Sequence, residues 1–311
     1  MNIAFVFPGQ GSQAVGMMAG YGAAPVLRET FAEAADVLGY DLWRLVSEGP
    51  ADELNRTVHT QPAMLAAGVA CYRLWRQQGG PEPQWMAGHS LGEYTALTCA
   101  GAMDFADALR LVRLRAHAMQ SAVPEGSGAM AAILGLEDAA VREVCLQAGE
   151  DGVVEAVNFN APGQVVIAGE AQAVARAMEL ARARGAKRAL ALPVSVPSHC
   201  SLMRPAAEAL AEALAGVELR APRVAVLHNV DVTAHETPEA IRAVLTRQLY
   251  SPVRWVETLQ RMQAFGAQAV VECGPGKVLT GLNKRILPEL PAFALSDAAA
   301  IEGALATIGK E

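Results

Sequence analysis

The sequence predicts an α/β protein: a parallel sheet with helices on both faces, and a smaller β-α-β-β-α-β unit inserted into it. Three observations lead there. Along the outer parts of the chain, short apolar runs alternate with longer helical patterns, the signature of strand–helix–strand crossovers. Between about residues 126 and 195 the order becomes strand, helix, strand, strand, helix, strand, which is the split βαβ or ferredoxin-like order. The chain has 311 residues, of which 52% are hydrophobic and 18% charged. That composition supplies one large core with a smaller one beside it, and it excludes a disordered or fibrous chain.

Each element has a local reason. IAFVF (3–7) is a short apolar run that ends in the turn PGQGSQ, so it reads as a buried strand. Residues 63–77 place Leu65, Val69, Tyr72 and Trp75 near helical spacing. WMAGHS (85–90) is a short strand ending at a turn, after which LGEYTALTCAGA is helical. Asp104 is placed to cap a helix that runs to about Val123. Within the inserted unit, the expected strands are 129–135, 153–159, 164–169 and 187–194, with a turn at Pro162-Gly163. The helices between them span 137–149, with a glycine stop, and 172–184. The chain then returns to a strand at 223–230, two helical stretches to about Phe265, a strand at 269–274, a helix through Lys284 and a last helix after Asp297.

Charge and cysteine usage narrow the function. The formal net charge of −7 argues against a nucleic-acid binder, whose affinity comes from Lys and Arg neutralising phosphates. Cys71, Cys99, Cys145, Cys200 and Cys273 are odd in number and form no C-x-x-C pair, so buried free thiols are expected rather than disulfides or a zinc site. The N-terminal apolar run is short, lacks a basic lead and is broken by Pro8-Gly9. No segment approaches the roughly 20 apolar residues of a membrane span. The expectation is a soluble, cytoplasmic protein with no membrane partner.

The chemistry centres on Gly88-His89-Ser90-Leu91-Gly92, a G-x-S-x-G. A serine on a sharp strand-to-helix turn needs small neighbours two residues away on each side, and the following helix aims its amides at an oxyanion. The motif also arises by chance, as a glycine-rich turn whose serine merely caps a helix. A serine nucleophile needs a base, and six histidines are candidates: His59, His89, His117, His199, His228 and His235. His89 adjoins Ser90 and would project away from it. His117 belongs to a helix surface, and His228 could be a satisfied strand-end histidine. His199, in PVSVPSHCSLMRP, stands where the inserted unit hands back to the main body, and a purely structural loop histidine is the competing account. On the 104–123 helix, Arg115 falls about 40° from both Leu111 and Met119, toward an apolar arc, whereas Arg113 is off it. A guanidinium there needs an anion, supplied either by a protein carboxylate or by a substrate.

The chain resembles the malonyl-CoA:acyl carrier protein transacylase family along essentially its whole length. The resemblance is carried by FVFPGQGSQ (5–13), AGHSLGEYTAL (87–97), RLRAHAMQ (113–120), PEGSGAMAAILG (124–135), NAPGQVVIAG (160–169), PVSVPSHCSLM (193–203), RQLYSPVRW (247–255) and GPGKVLTGL (274–282). It implies an α/β-hydrolase-like core with a parallel sheet, formed by 1–125 and 196–311, and an inserted ferredoxin-like subdomain at 126–195. It further implies that Ser90 is the nucleophile that becomes malonylated and His199 the general base and acid. Gln10 and Leu91 would supply oxyanion-hole N–H groups, and Arg115 would bind the malonyl carboxylate. The main-chain carbonyl of Gln248 would orient the histidine. Ser198 and Leu91 look like the malonyl-type arrangement rather than a methylmalonyl one.

The implied substrates are malonyl-CoA and the phosphopantetheine thiol of acyl carrier protein, in fatty acid biosynthesis or alternatively on a polyketide-synthase carrier. No metal or redox cofactor is implied, coenzyme A being part of the substrate and a product, and the expected state is a monomer. An acidic carrier asks for a local basic surface, for which Arg184, Lys187 and Arg188 in one run and Lys284 and Arg285 in another are candidates, solvated helix ends being the alternative. Two rivals remain at this point: a serine esterase or thioesterase, and a non-catalytic docking module.

Overall fold

The computed structural model describes residues 1–194 and 196–309. The expected unit boundary at 195 and the last two residues, 310 and 311, lie outside the described residues. The main sheet has five parallel strands: β1 (Ile3–Phe7), β2 (Trp85–Gly88), β7 (Ala225–Leu227), β8 (Ala269–Glu272) and β9 (Ala292–Ala294), in the order β7-β2-β1-β8-β9. β1 lies at the centre and is buried along its whole length, which is why it reads as an unbroken apolar run. Ile3, Phe5 and Phe7 point to one face, and the Phe5 ring meets Tyr72 and Trp75 at 5.9 and 5.5 Å. Ala4 and Val6 point to the other, into a cluster with Trp255, Leu259 and Leu279.

Helices cover both faces, as expected. On the Phe5 side pack α1 (Pro25–Leu38), α4 (Thr57–Gln77), α5 (Gly92–Cys99), α6 (Phe105–Ser121) and α9 (Arg204–Ala215). On the Val6 side pack α11 (Trp255–Ala264) and α12 (Val278–Ile286). The short helices α2 (Leu42–Glu48) and α3 (Ala51–Leu54) lie between α1 and α4, α10 (Pro238–Gln248) precedes α11, and α13 (Ala298–Ile308) closes the described chain. The helix expected from residue 63 begins earlier, at Thr57, with Pro62 one turn inside it. Asp297 caps α13 by accepting from the Ala300 N–H at 2.8 Å. Asp104 stands at the start of α6 but makes no capping bond; its carboxylate takes Arg220 at 3.1 Å instead. α1, α2, α9 and the edge strand β9 were not expected from the pattern.

The second sheet is antiparallel, in the order β4-β5-β3-β6: β3 (Gly128–Leu134), β4 (Val154–Ala161), β5 (Gln164–Glu170) and β6 (Arg188–Ala191). With α7 (Asp138–Ala148) and α8 (Ala171–Ala183), this is the β-α-β-β-α-β order. Gly149 does not stop the chain with a left-handed turn: its φ is −86°, and a 3-10 turn continues to Asp151. One sheet face packs on α7 and α8 through Ile133, Phe159, Val165 and Ile167. The other carries Met130, Val157, Val166 and Ala168 beside Cys200, and faces the main sheet's loops. All five cysteines are buried free thiols. Among the described residues, no helix is long and apolar enough to cross a membrane.

Candidate active site

Ser90 occupies the turn between β2 and α5 with φ of 53°, a left-handed conformation unfavourable for any residue but glycine. The flanking glycines make the turn possible. A Cβ on Gly88 would lie 1.8 Å from the Gly92 carbonyl carbon, and one on Gly92 would lie 2.1 Å from the Phe7 carbonyl oxygen. The strained peptide is held from both sides: Ser90 N–H donates to Asn229 Oδ1 at 2.8 Å, and Ser90 C=O accepts from Gln248 Nε2 at 3.0 Å. Asn229 is fixed in turn, donating from Nδ2 to the Gly88 carbonyl at 2.7 Å and from its backbone N–H to Glu93 Oε2 at 2.9 Å. The other Glu93 oxygen takes His228 Nδ1 at 2.7 Å, and all three side chains are fully buried.

The histidine is the one from the 193–203 segment. His199 Nε2 lies 2.7 Å from Ser90 Oγ. Its Nδ1 lies 2.8 Å from the main-chain carbonyl of Gln248, at the end of α10. A carbonyl oxygen only accepts, so Nδ1 carries the proton and Nε2 presents its lone pair to the serine O–H. Burial, and then the positive charge of Arg115, push the His199 imidazole from 6.5 down to about 3, so it is neutral and able to act as a base. The other histidines are elsewhere engaged. His89 turns away from the serine to Asn160 at 2.8 Å. His117 is exposed, and His59 and His235 bond to Glu53 and Asp231. His228 is only half satisfied, because its Nε2 has no partner among the described residues.

Arg115 is buried, with 1% exposure, beside Ser90. Its Nη1 donates to Gln61 Oε1 at 2.9 Å, and its Nη2 to Gln248 Oε1 at 3.1 Å and to Ser90 Oγ at 3.3 Å. Every acceptor is neutral. Among the described residues, no carboxylate forms an ion pair with this guanidinium, so the protein-carboxylate alternative fails. Arg113, off the apolar arc, is exposed and caps the end of α1 at the Leu38 carbonyl. The three groups open into a cavity of about 130 Å³, also lined by Gln10, Leu91, Met119, Met130 and Ser198. The backbone N–H groups of Gln10 and Leu91 donate to no protein acceptor among the described residues. A serine hydroxyl, a neutral imidazole, backbone amides and a guanidinium without an ion-pair partner among the described residues, in one small cleft, suit acyl transfer of a short, anionic acyl group.

Comparison with known proteins agrees with this chemistry. The model of the acyl transferase domain matches residues 4–300. The malonyl CoA-acyl carrier protein transacylase of Escherichia coli K12 is 59% identical over 305 residues, covering 98% of this chain and 99% of its own. The chain belongs to the malonyl CoA-acyl carrier protein transacylase family. Among solved structures, the acyl-carrier-protein S-malonyltransferase of Burkholderia pseudomallei 1710b matches with a TM-score of 0.97 at 56% identity, covering 98% of this chain and all of that one. A malonyl-transacylase in complex with its type II PKS acyl-carrier protein matches with a TM-score of 0.97 at 55% identity, covering 99% of this chain and all of that one.

Two groups of this transacylase's site escape sequence reasoning. Gln61, on α4, and the side chain of Gln248 hold the guanidinium with amide oxygens. Asn229 and Glu93 hold the elbow. None belongs to a spacing pattern with its partner; Gln61 and Arg115 are 54 residues apart. The basic candidates separate. Arg184 is tied to Glu143 at 3.0 Å, and Arg285 to the Pro162 carbonyl at 3.1 Å and to Gln164. Lys187, Arg188 and Lys284 are exposed.

The depressed histidine makes a pH prediction. Only neutral His199 can take the serine proton, so the rate of Ser90 acylation should stay flat from about pH 8 to about pH 5, with no inflection near the ordinary 6.5. An acid limb centred between 6 and 7 would refute the assignment. Stability follows the same displacement: the unfolded imidazole binds a proton below 6.5 and the folded one only near 3, so the native state loses stability as pH falls through that window.

Proposed function

We propose that this chain transfers a malonyl group from malonyl-CoA to the phosphopantetheine thiol of acyl carrier protein, through a malonyl ester on Ser90. The observation that carries the proposal is the buried Arg115, unneutralised and within hydrogen-bonding distance of the nucleophile. A free carboxylate on the acyl group completes it with a charge-assisted, two-toothed pair.

In the first half-reaction His199 Nε2 takes the Ser90 proton and Oγ attacks the thioester carbon. The oxyanion is held by the N–H groups of Gln10 and Leu91. The C–S bond breaks, and the imidazolium returns its proton to the departing thiolate of coenzyme A. In the second, the carrier thiol loses its proton to His199 and its sulfur attacks the serine ester carbon; the C–Oγ bond breaks, and the imidazolium returns the proton to Ser90 Oγ. Thioester exchange changes no oxidation state, so no redox cofactor is required, and the oxyanion-hole N–H groups supply the polarisation a metal would otherwise give. We assign 1–125 and 196–311 to the catalytic domain and 126–195 to the subdomain. Every group invoked comes from one chain, so a monomer suffices, and we take the reaction to be cytoplasmic and to serve fatty acid biosynthesis.

A transfer assay tests this. With malonyl-, methylmalonyl- and acetyl-CoA offered to a phosphopantetheinylated carrier, malonyl transfer dominates. Release of free malonate in place of transfer would make the protein a hydrolase, and failure to label Ser90 would leave a docking module. Carriers of fatty-acid and polyketide type, compared side by side, assign the pathway.

Docking of an acidic carrier is best served by Lys187 and Arg188 at the start of β6. This strand leads to Leu192 and Val194 at the cleft, at most roughly 13–23 Å along the chain at about 3.3 Å per residue. Lys187→Glu should raise the KM for carrier several-fold and leave that for malonyl-CoA unchanged; equal effects on both would place the docking face elsewhere.

A further inference from the structure

Strand β4 carries a feature that the transfer chemistry leaves unused. Ala156 and Phe159, three residues apart, both pack on the helix-covered face of the subdomain. Strict alternation cannot do that; one extra residue is needed. Val157 is that residue, the β-bulge where the pairing with β5 passes from Ala156–Ile167 directly to Asn158–Val166. The bulge turns Asn158 from the subdomain core to the opposite face, the face of Val166 and Met130, where it lines the catalytic cleft. Its neighbour Asn160, two residues on, bonds His89 at 2.8 Å. The Asn158 side-chain amide has no partner among the described residues, and its Oδ1 is sheltered from solvent.

A buried carbonyl without a donor is costly, and its retention in a cleft needs a reason. We propose that Asn158 binds the secondary amide of the thioester-bearing arm. This deepens the transacylase proposal and rests on it. Behind the thioester sulfur, the pantetheine arm has two methylenes and then a secondary amide, and the same arm occurs on coenzyme A and on the carrier. Such an amide offers one N–H and one C=O. A carboxamide side chain offers the matching C=O and N–H. Among the described residues no bond fixes the Asn158 head, so rotation about its last torsion presents either end. One side chain can thus hold the donor arm in the first half-reaction and the acceptor arm in the second, with the sulfur directed at Ser90. Asn158 is a substrate-positioning residue: it leaves the proton transfers to His199 and the acyl carboxylate to Arg115.

Three malonyl thioesters test this: malonyl-CoA, malonyl-N-acetylcysteamine, which keeps one amide at the same spacing, and the S-butyl thioester, which has none. Asn158→Leu removes both hydrogen-bonding ends at similar volume. Its kcat/KM for Ser90 malonylation should fall about tenfold with each of the first two and remain unchanged with the butyl ester. The unchanged butyl reaction itself reports an intact fold and site. If Asn158→Leu does not fold, Asn158→Ala makes the same comparison without adding bulk. Equal losses with all three esters, or none, would overturn the role of Asn158. Failure of the transacylase proposal looks different: the wild-type chain would then form no malonyl-enzyme with any of them.

Discussion

Replacing Ser90 with alanine is expected to abolish the acyl-enzyme outright, with no malonyl adduct in the intact mass after incubation with malonyl-CoA. His199→Ala should slow adduct formation by roughly 10⁴-fold or more, because a neutral hydroxyl with no base 2.7 Å away is a poor nucleophile. The two losses should not add. Both remove the same proton transfer, so the double variant should be no slower than Ser90→Ala. Gln248 separates orientation from side-chain chemistry. The atom that fixes the His199 tautomer is its main-chain oxygen, which survives any substitution. Gln248→Ala should therefore keep the base intact while releasing one tether on Arg115 and one on the Ser90 carbonyl. Its loss should be far smaller than that of His199→Ala. A malonyl adduct persisting on Ser90→Ala would remove the nucleophile assignment, and with it the mechanism.

The parts of this molecule legible from sequence are those whose cause is local. Gly88 and Gly92 are demanded by a turn that admits no Cβ, so G-H-S-L-G announces its own geometry. The β-α-β-β-α-β order of 128–191 is written in strand and helix periods a few residues long. Arg115 was legible as facing an apolar arc, since that follows from helical angles alone. What would neutralise it was not: the choice between a protein carboxylate and a ligand depended on Gln61 and Gln248, which only the fold brings to it. Which of six histidines lies beside Ser90 was hidden for the same reason. His199 N–H meets the Leu249 carbonyl at 3.0 Å, a tertiary contact that fixes the loop and leaves no trace in residue spacing. The strand expected at 187–194 ends at Ala191: Leu192 still donates to the Met130 carbonyl at 2.9 Å, and the chain then turns, Val194 N–H bonding the Leu192 carbonyl at 2.8 Å, so that both side chains line the cleft. The bulges of β4 were invisible, since an extra residue inside an apolar strand looks like a longer strand.

Selectivity should be eroded by changing one charge. Arg115 is held by two amide oxygens and, among the described residues, no carboxylate forms an ion pair with it. A neutral acetyl group leaves the guanidinium charge desolvated and unpaired, whereas a malonyl carboxylate pairs it. A charge-assisted bond contributes on the order of 1.5–3 kcal/mol, and every 1.4 kcal/mol is a factor of ten, so a preference for malonyl over acetyl of roughly one to two orders per bond is expected. Arg115→Ala should collapse the ratio mainly by losing malonyl transfer. Gln61→Glu is the sharper test. It keeps the shape of the side chain and sets a carboxylate where an amide oxygen now lies 2.9 Å from the guanidinium. This internal counter-ion competes with the malonyl carboxylate for Arg115, so the malonyl rate should fall about tenfold or more while acetyl transfer holds or rises. The same neutralisation lifts one of the influences that depress the His199 imidazole, so the acid limb of Gln61→Glu should move up in pH. A variant that keeps its malonyl preference while its acid limb rises would show that Arg115 tunes the base without reading the substrate. Both moving together is what a single cation serving nucleophile, base and carboxylate requires.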